Sequence, residues 1–182
     1  MANLTLAIGP MFSGKTEWLI KKLEGFDKER TLAIRYSLDT RYSNDSIVSH
    51  TGKKMIAKSA TSIADIYKHL DETPNIKVLG IDEIQFFEPE LAQLLSNLRN
   101  KGITIFASGL NFDYLASPWN TTVALEKIAD NITILTARCS FCKKNNAVYT
   151  QRIGGETNRI ALGGIELYQP RCKEHYAKAP TS

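Results

Sequence analysis

A short glycine-rich segment near the start of the chain constrains its fold more than any other feature. An apolar run at residues 3–8 precedes it and a helical pattern at residues 15–25 follows, so we predict a buried strand, a loop and a helix. Glycines let such a loop turn its N–H groups toward phosphate oxygens, and the dipole of the helix adds to this attraction. The segment matches G-x-x-x-x-G-K-[ST] at every defined position and therefore predicts a nucleotide-binding site: Gly9, Pro10, Met11, Phe12, Ser13, Gly14, Lys15 and Thr16.

The residues at the end of this motif have separate expected roles. Lys15 should reach the β- and γ-phosphates of a nucleotide, and the Thr16 hydroxyl should bind magnesium. Both roles require that the helix begins at this point, where its positive end faces the phosphates. We therefore expect ATP with Mg²⁺ as the ligand of this loop.

Strand-like and helix-like segments alternate over the first three quarters of the chain. Further strands are expected at residues 31–36, 76–82, 103–108 and 132–136, and helices at 62–72 and from Pro89 onward. Thr61 or Ser62 can cap the first of these helices, and its predicted buried face comprises Ile63, Ile66, Tyr67 and Leu70. A polar stretch at residues 39–52 is expected to be a functional or mobile loop. This alternation predicts an α/β fold with a parallel sheet flanked by helices.

Two acids end the most apolar of these strands. In an open parallel sheet, ligands bind at the carboxyl ends of the strands, so Asp82 and Glu83 should lie beside the phosphate loop. We expect Asp82 to hold magnesium through its water shell and Glu83 to accept a proton from an attacking hydroxyl or water. Alternatively, the two acids only expose the end of the strand to solvent. This alternative competes more strongly with the functional role at Glu83 than at Asp82.

A metal-ligand pattern occupies the last quarter of the chain. It consists of C-x2-C and C-x2-H pairs, a Cys3His set with the spacing of structural zinc sites: Cys139, Cys142, Cys172 and His175. Four protein ligands leave no open position on the metal, so the expected role is structural. The chain also changes here to short strands and glycine pairs. We therefore predict a nucleotide-binding domain at residues 1–137 and a small zinc-binding domain at residues 138–182.

Charge and hydropathy narrow the classes of partner. The net charge is +4 and the basic residues are scattered, which does not suit a nucleic-acid-binding surface. No apolar run approaches the length of a membrane helix, and no secretory signal is apparent. We expect no nucleic acid and no membrane as partners, and a cytoplasmic location.

In this order, the motifs resemble those of the type II thymidine kinases. The similarity covers nearly the whole chain, and its most specific parts are GPMFSGKT at residues 9–16, DTRYS at 39–43 and DEIQFF at 82–87. A Tyr-Thr-x-Arg stretch at 149–152, a glycine pair and the two zinc half-sites follow. The chain departs from the family pattern at Ile84, where glycine is frequent, and at Asn111, where aspartate is common. His175 replaces the cysteine of the animal members and keeps four zinc ligands.

The resemblance implies transfer of phosphate from ATP to thymidine, and to deoxyuridine as well, in nucleotide salvage for DNA synthesis. It assigns Glu83, Lys15 and Arg41 to catalysis, with Glu83 as the general base. It assigns further residues to the phosphate region, namely Asp39, Asp82 and Gln85. Feedback binding of dTTP and a homotetramer are also implied.

The resemblance further assigns residues to the nucleoside. Those beside the thymine ring are Phe86 and Tyr114, those near its 5-methyl group are Met11, Leu110 and Thr150, and Tyr168 is near the sugar. A lasso loop at residues 161–168, which includes Gly163, Gly164 and Ile165, is expected to fold over the nucleoside. The predicted zinc ligands precede and follow this loop, so the metal would anchor both of its ends. The fold expected by resemblance is a RecA-like P-loop sheet with a small C-terminal zinc-binding lasso domain.

Two other functions are compatible with the residues alone. In a P-loop ATPase, Glu83 would activate water, and ADP release would not depend on a nucleoside. In a nucleic-acid-binding module, a zinc ribbon would grip the polymer and the phosphate loop would regulate it. Residues 138–176 lack the basic and aromatic stripe that this second alternative requires.

Overall fold

A computed structural model describes residues 1–37, 46–49, 52–154 and 166–177 of the 182-residue chain. Four α-helices lie within these ranges: α1 Lys15–Leu23, α2 Ile63–Glu72, α3 Leu91–Asn100 and α4 Asn120–Glu126. The strands of the same ranges are β1 Leu4–Gly9, β2 Thr31–Tyr36, β3 Ser46–Val48, β4 Lys54–Ile56, β5 Lys58–Ala60, β6 Val78–Asp82, β7 Thr104–Leu110, β8 Asn131–Ile134, β9 Tyr149–Arg152 and β10 Tyr168–Arg171.

Six of the strands form one parallel sheet in the order β5-β2-β6-β7-β1-β8. Successive side chains of a strand point to opposite faces, and both faces of this sheet are covered. Helix α1 packs its Leu19, Ile20 and Leu23 on one face, while α2, α3 and α4 cover the other. This arrangement confirms the predicted α/β fold with a parallel sheet flanked by helices.

The strand order determines where the predicted site residues meet. Strand β7 lies between β1 and β6, and the three strands run in the same direction. The loop after β1 and the acids after β6 therefore leave the sheet at the same edge. This is the edge at which the sequence predicts nucleotide binding.

Helix α2 confirms one local prediction and corrects another. Ser62 caps it in a capping box, since its hydroxyl accepts a hydrogen bond from the Asp65 N–H and the Asp65 carboxylate accepts one from the Ser62 N–H. The prediction that Tyr67 is buried is wrong, because this side chain is 50% exposed. The core-facing stripe runs through Ile63, Ile66 and Leu70.

Four of the helices and strands given above were not expected from the sequence: β3, β4, β5 and α4. Strand β3 lies inside the predicted loop at residues 39–52 and pairs antiparallel with β4; three residues are too short to show a periodic pattern. Helix α4 contains three adjacent β-branched residues, which are weak helix formers. Two of their hydroxyls fix the helix to the sheet edge, because Thr121 donates to the Phe87 carbonyl and Thr122 donates to the Leu110 carbonyl at 2.8 Å.

The part of the chain after β8 forms a small antiparallel sheet of β9 and β10. A separate buried cluster of Ala137, Ala147 and the cysteines lies next to it. The division of the chain into domains at 1–137 and 138–182 stays a prediction. None of the helices in the described ranges combines the length and the hydropathy that crossing a bilayer requires.

Candidate active site

The loop between β1 and α1 contains two residues with a left-handed backbone. Phe12 and Gly14 have positive φ angles of 65° and 80°, and such left-handed residues turn neighbouring N–H groups toward one concave side. At position 14, where the φ angle is disfavoured for other residues, glycine adopts it without strain. The Trp18 N–H donates to the Gly14 carbonyl at 2.9 Å and starts the helix, so the positive end of α1 faces the loop.

Lys15 is a buried cation at the first turn of α1. Its side chain is only 8% exposed, and its Nζ donates to the Pro10 carbonyl at 2.7 Å. Burial lowers the pKa of Lys15, while the nearby carboxylates of Glu83 and Asp82 act in the opposite direction. The loop, this cation and the two acids therefore lie close enough together to act on one ligand.

Asp82 lies at the end of β6 and is held by two hydroxyls. Ser108 on β7 donates to its Oδ1 at 2.5 Å, and Thr16 on α1 donates to its Oδ2 at 2.9 Å. Burial and the Glu83 carboxylate raise the pKa of Asp82 to about 6, although Ser108, Thr16 and Lys15 oppose this. A carboxylate next to a hydroxyl is a suitable donor set for a hard divalent cation such as Mg²⁺.

Ser108 is a site residue that the sequence analysis missed. It is fully buried on the strand between β1 and β6, and its hydroxyl contacts the acid predicted to hold magnesium. The sequence shows a serine within a mostly apolar strand, which hints at a special role. Its hydrogen-bond partner, however, follows only from the order of the strands in the sheet.

Glu83 starts the 3-10 turn Ile84–Phe86 with a left-handed backbone, φ 58° and ψ 43°. A non-glycine residue in this region is uncommon, and such strained conformations concentrate at functional sites. The Gln85 side chain, which is 3% exposed, donates to Glu83 Oε2 at 2.5 Å and accepts from the Leu110 N–H at 2.9 Å. The ring of Phe86 lies 5.2 Å from that of Tyr36 and 5.7 Å from that of Trp119, centre to centre.

Four of the predicted nucleoside-binding residues form two groups that join distant parts of the chain. The Met11 N–H donates to the Thr150 hydroxyl at 3.0 Å, which links the phosphate loop to β9. The guanidinium of Arg152 lies 3.9 Å from the centre of the Tyr114 ring and donates to the Tyr168 hydroxyl at 2.5 Å. Strands β9 and β10 thus contact the carboxyl edge of the main sheet through these side chains.

The four predicted metal ligands converge on one point. One ligand atom each from Cys139, Cys142, Cys172 and His175 lies within 4.8 Å of the others. Burial acts to raise the pKa of the Cys139 thiol, but backbone N–H groups, chiefly those of Cys172 and Cys142, outweigh it and lower the pKa to about 6. Metals bind the thiolate, which forms readily when the pKa of a thiol is low, so the cluster can hold a metal ion.

Five of the predicted site residues lie outside the described part of the chain: Asp39, Arg41, Gly163, Gly164 and Ile165. Their assigned roles, and those of the described site residues, stay predictions. For Gln85, predicted to contact phosphate, the hydrogen bonds within the described residues are to Glu83 and Leu110.

Comparison with known proteins agrees with this geometry. The sequence model of the family described as thymidine kinase matches residues 2–176. A thymidine kinase of Mycoplasma mobile is 37% identical over 168 residues, which cover 91% of this chain and 82% of the relative. A thymidine kinase of Thermococcus kodakarensis is 36% identical over 184 residues, which cover 95% of this chain and 93% of the relative. The chain therefore belongs to the thymidine kinase family.

Proposed function

We propose that this protein transfers the γ-phosphate of ATP to the 5′-hydroxyl of thymidine, and also of deoxyuridine, and releases ADP. One observation supports this most strongly: a phosphate-binding loop, a buried lysine and two carboxylates lie together at the carboxyl edge of the sheet in a chain of the thymidine kinase family. The nucleoside is assigned by this membership and by the residues that match the family at the same edge.

In the proposed reaction, Glu83 takes the proton of the 5′-hydroxyl while the oxygen attacks the γ-phosphorus in line with the departing ADP. Lys15 stabilises the charge that develops on the transferring phosphoryl group, and its buried position strengthens this interaction. Thr16 and Asp82 fit Mg²⁺ because their oxygens lie 2.9 Å apart. The bound ion would neutralise phosphate charge. Arg41 and Asp39 complete the phosphate set by family resemblance.

The thymine ring is proposed to lie beside Phe86 and Tyr114, where aromatic faces favour stacking on a base. Met11, Leu110 and Thr150 would surround the 5-methyl group. The hydrogen bond between the Met11 N–H and the Thr150 hydroxyl holds two of these residues in contact. Tyr168 would contact the sugar, and the lasso loop with Gly163, Gly164 and Ile165 would cover the nucleoside.

The Cys3His cluster is proposed to bind a structural zinc ion. Zn–S bonds of about 2.3 Å in a tetrahedral site place two sulfur ligands about 3.8 Å apart. The Sγ atoms of Cys142 and Cys172 are 3.9 Å apart, and Cys172 Sγ is 3.1 Å from His175 Nδ1. The separation of the two Sγ atoms matches a tetrahedral zinc site, while the sulfur–nitrogen separation is shorter than such a site has. Inhibition by dTTP and a homotetramer remain predictions of the family resemblance, and a cytoplasmic location remains a prediction from the sequence.

Glu83→Gln tests the proposed base. The variant keeps the size of the side chain but cannot take the proton, so thymidine-dependent ADP release should fall by roughly 10²–10⁴-fold while ATP affinity stays unchanged. Glu88→Gln, an exposed change five residues further on, should leave the rate unaltered. A fall of less than about tenfold would place the base elsewhere.

The same assay separates a kinase from an ATPase. The wild-type protein should release ADP rapidly only when a nucleoside with a 5′-hydroxyl is present. Equal rates with and without thymidine would mean that Glu83 activates water, and the proposal would then be wrong.

A further inference from the structure

The Gln85 side chain bridges two parts of the candidate site. It lies in the turn after Glu83, almost completely buried, and makes one hydrogen bond at each end of its amide. Its Oε1 accepts from the Leu110 N–H at the end of β7, and its Nε2 donates to the Glu83 carboxylate. The side chain thus ties the carboxylate to the rigid edge of the sheet.

The orientation of this amide is fixed by its partners. A backbone N–H can only donate, so the group that faces Leu110 must be the oxygen of the amide. The NH₂ group then faces Glu83, and burial keeps water from replacing it. Gly109 provides the space, since a Cβ at this position would lie 2.5 Å from Gln85 Oε1 and 2.4 Å from Ile84 Cγ1.

Among the described residues, Gln85 is the side chain that hydrogen-bonds to the Glu83 carboxylate. The left-handed backbone of Glu83 does not by itself fix the rotamer of its side chain. A general base must lie within hydrogen-bond reach of the proton that it takes. The bond from Gln85 supplies the missing constraint.

We propose that Gln85 is the positioning residue of the general base. Its Nε2 holds Glu83 Oε2, so that Oε1 points to the 5′-hydroxyl. The proton of this hydroxyl passes to Oε1 as the oxygen bonds to the γ-phosphorus, and the bond to ADP breaks. This inference rests on the proposed function. It gives Gln85 a role different from the phosphate contact expected by family resemblance.

Two substitutions test this role. Gln85→Met fills the same space without hydrogen bonds, and Gln85→Asn keeps an amide for the Leu110 N–H but is one methylene too short to reach Glu83 as well. Both should lower thymidine-dependent kcat by about 10- to 100-fold, the effect of losing a hydrogen bond to a charged group. The Kd for ATP, measured by calorimetry, should stay within about twofold of the wild type. Gln93→Met on the exposed side of α3 is the matched control and should change neither value.

A double-mutant cycle shows whether Gln85 acts through Glu83. In a Glu83→Gln background, adding Gln85→Met should lower kcat by less than about twofold, because the group that it positions is already gone. Multiplicative losses would overturn the inference. A weaker ATP affinity with normal kcat would also overturn it, because Gln85 would then be a phosphate ligand. Wild-type kcat in Gln85→Asn, or failure of both variants to fold, would overturn it as well, because Gln85 would then be a structural contact. If Glu83→Gln itself keeps full activity, it is the proposed base that fails.

Discussion

Ionisation of the Asp82 side chain is less favourable in the folded chain than in the unfolded chain, and this lowers the free energy of unfolding measurably. The side chain is 4% exposed, and its pKa of about 6 compares with an ordinary value of 3.8. Burial raises this pKa most, and repulsion from Glu83 raises it further. Ser108, Thr16 and Lys15 lower it but do not offset the rise. A difference of this size makes the ionised side chain cost about 3 kcal/mol of folding free energy at pH 8.

The sign of the pH dependence follows from proton binding. Below about pH 4 the carboxyl is protonated in the folded and the unfolded chain, so it does not lower the free energy of unfolding. Between about pH 4 and 6 the folded chain holds the proton more tightly, so the free energy of unfolding falls as the pH rises. Asp82→Asn removes the charge but can still accept from Ser108 and donate to Thr16. The variant should therefore be more stable than the wild type by up to about 3 kcal/mol above pH 6, and no more stable below pH 4.

Urea unfolding at pH 4, 6 and 8 without added divalent cations measures this difference, with tryptophan fluorescence as the signal. The exposed change Asp71→Asn on α2 is the control and should show no such pH-dependent gain. Kinase activity of Asp82→Asn should be lost even though the variant is more stable, as is common at functional sites. A variant no more stable than the wild type at pH 8 would refute the view that Asp82 is an energetically unfavourable carboxylate.

Two further changes test the loop and the metal cluster. Lys15→Ala should reduce kcat by at least about 100-fold with the fold intact, because it removes a buried charge aimed at the transferring phosphate. Normal turnover would exclude this role. Lys21→Ala, at an exposed position of the same helix, is the control. Cys172→Ala should lower the zinc content measured by metal analysis and raise the thymidine KM more than the ATP Kd. Equal loss of both substrates would indicate that the metal supports the whole fold, and wild-type protein without stoichiometric zinc would contradict the four-ligand site.

Much of the fold could be predicted because it rests on local signals. The phosphate motif, the apolar run before Asp82 and the leucine stripe of α3 each have a period or a spacing that sequence displays directly. The cluster of Cys139, Cys142, Cys172 and His175 could also be predicted, because the C-x2-C and C-x2-H spacings restrict the possible ligands.

What the sequence did not reveal depends on contacts between distant segments. The role of Ser108 requires that β7 lies between β1 and β6, and the bond from Gln85 to Leu110 joins the turn after β6 to the end of β7. Helix α4 forms against its local propensity because Thr121 and Thr122 donate to the sheet edge. None of these contacts produces a periodic pattern in the sequence.

The proposed acceptor of the γ-phosphate at this site is a nucleoside hydroxyl and not water. The most direct measurement incubates the purified protein with Mg²⁺, ATP radiolabelled in its γ-phosphate, and either thymidine or its 5′-deoxy analogue, and then separates the products. The label should appear in thymidine 5′-monophosphate with thymidine and stay in ATP with the analogue. Label released as inorganic phosphate at the same rate in both reactions would contradict it.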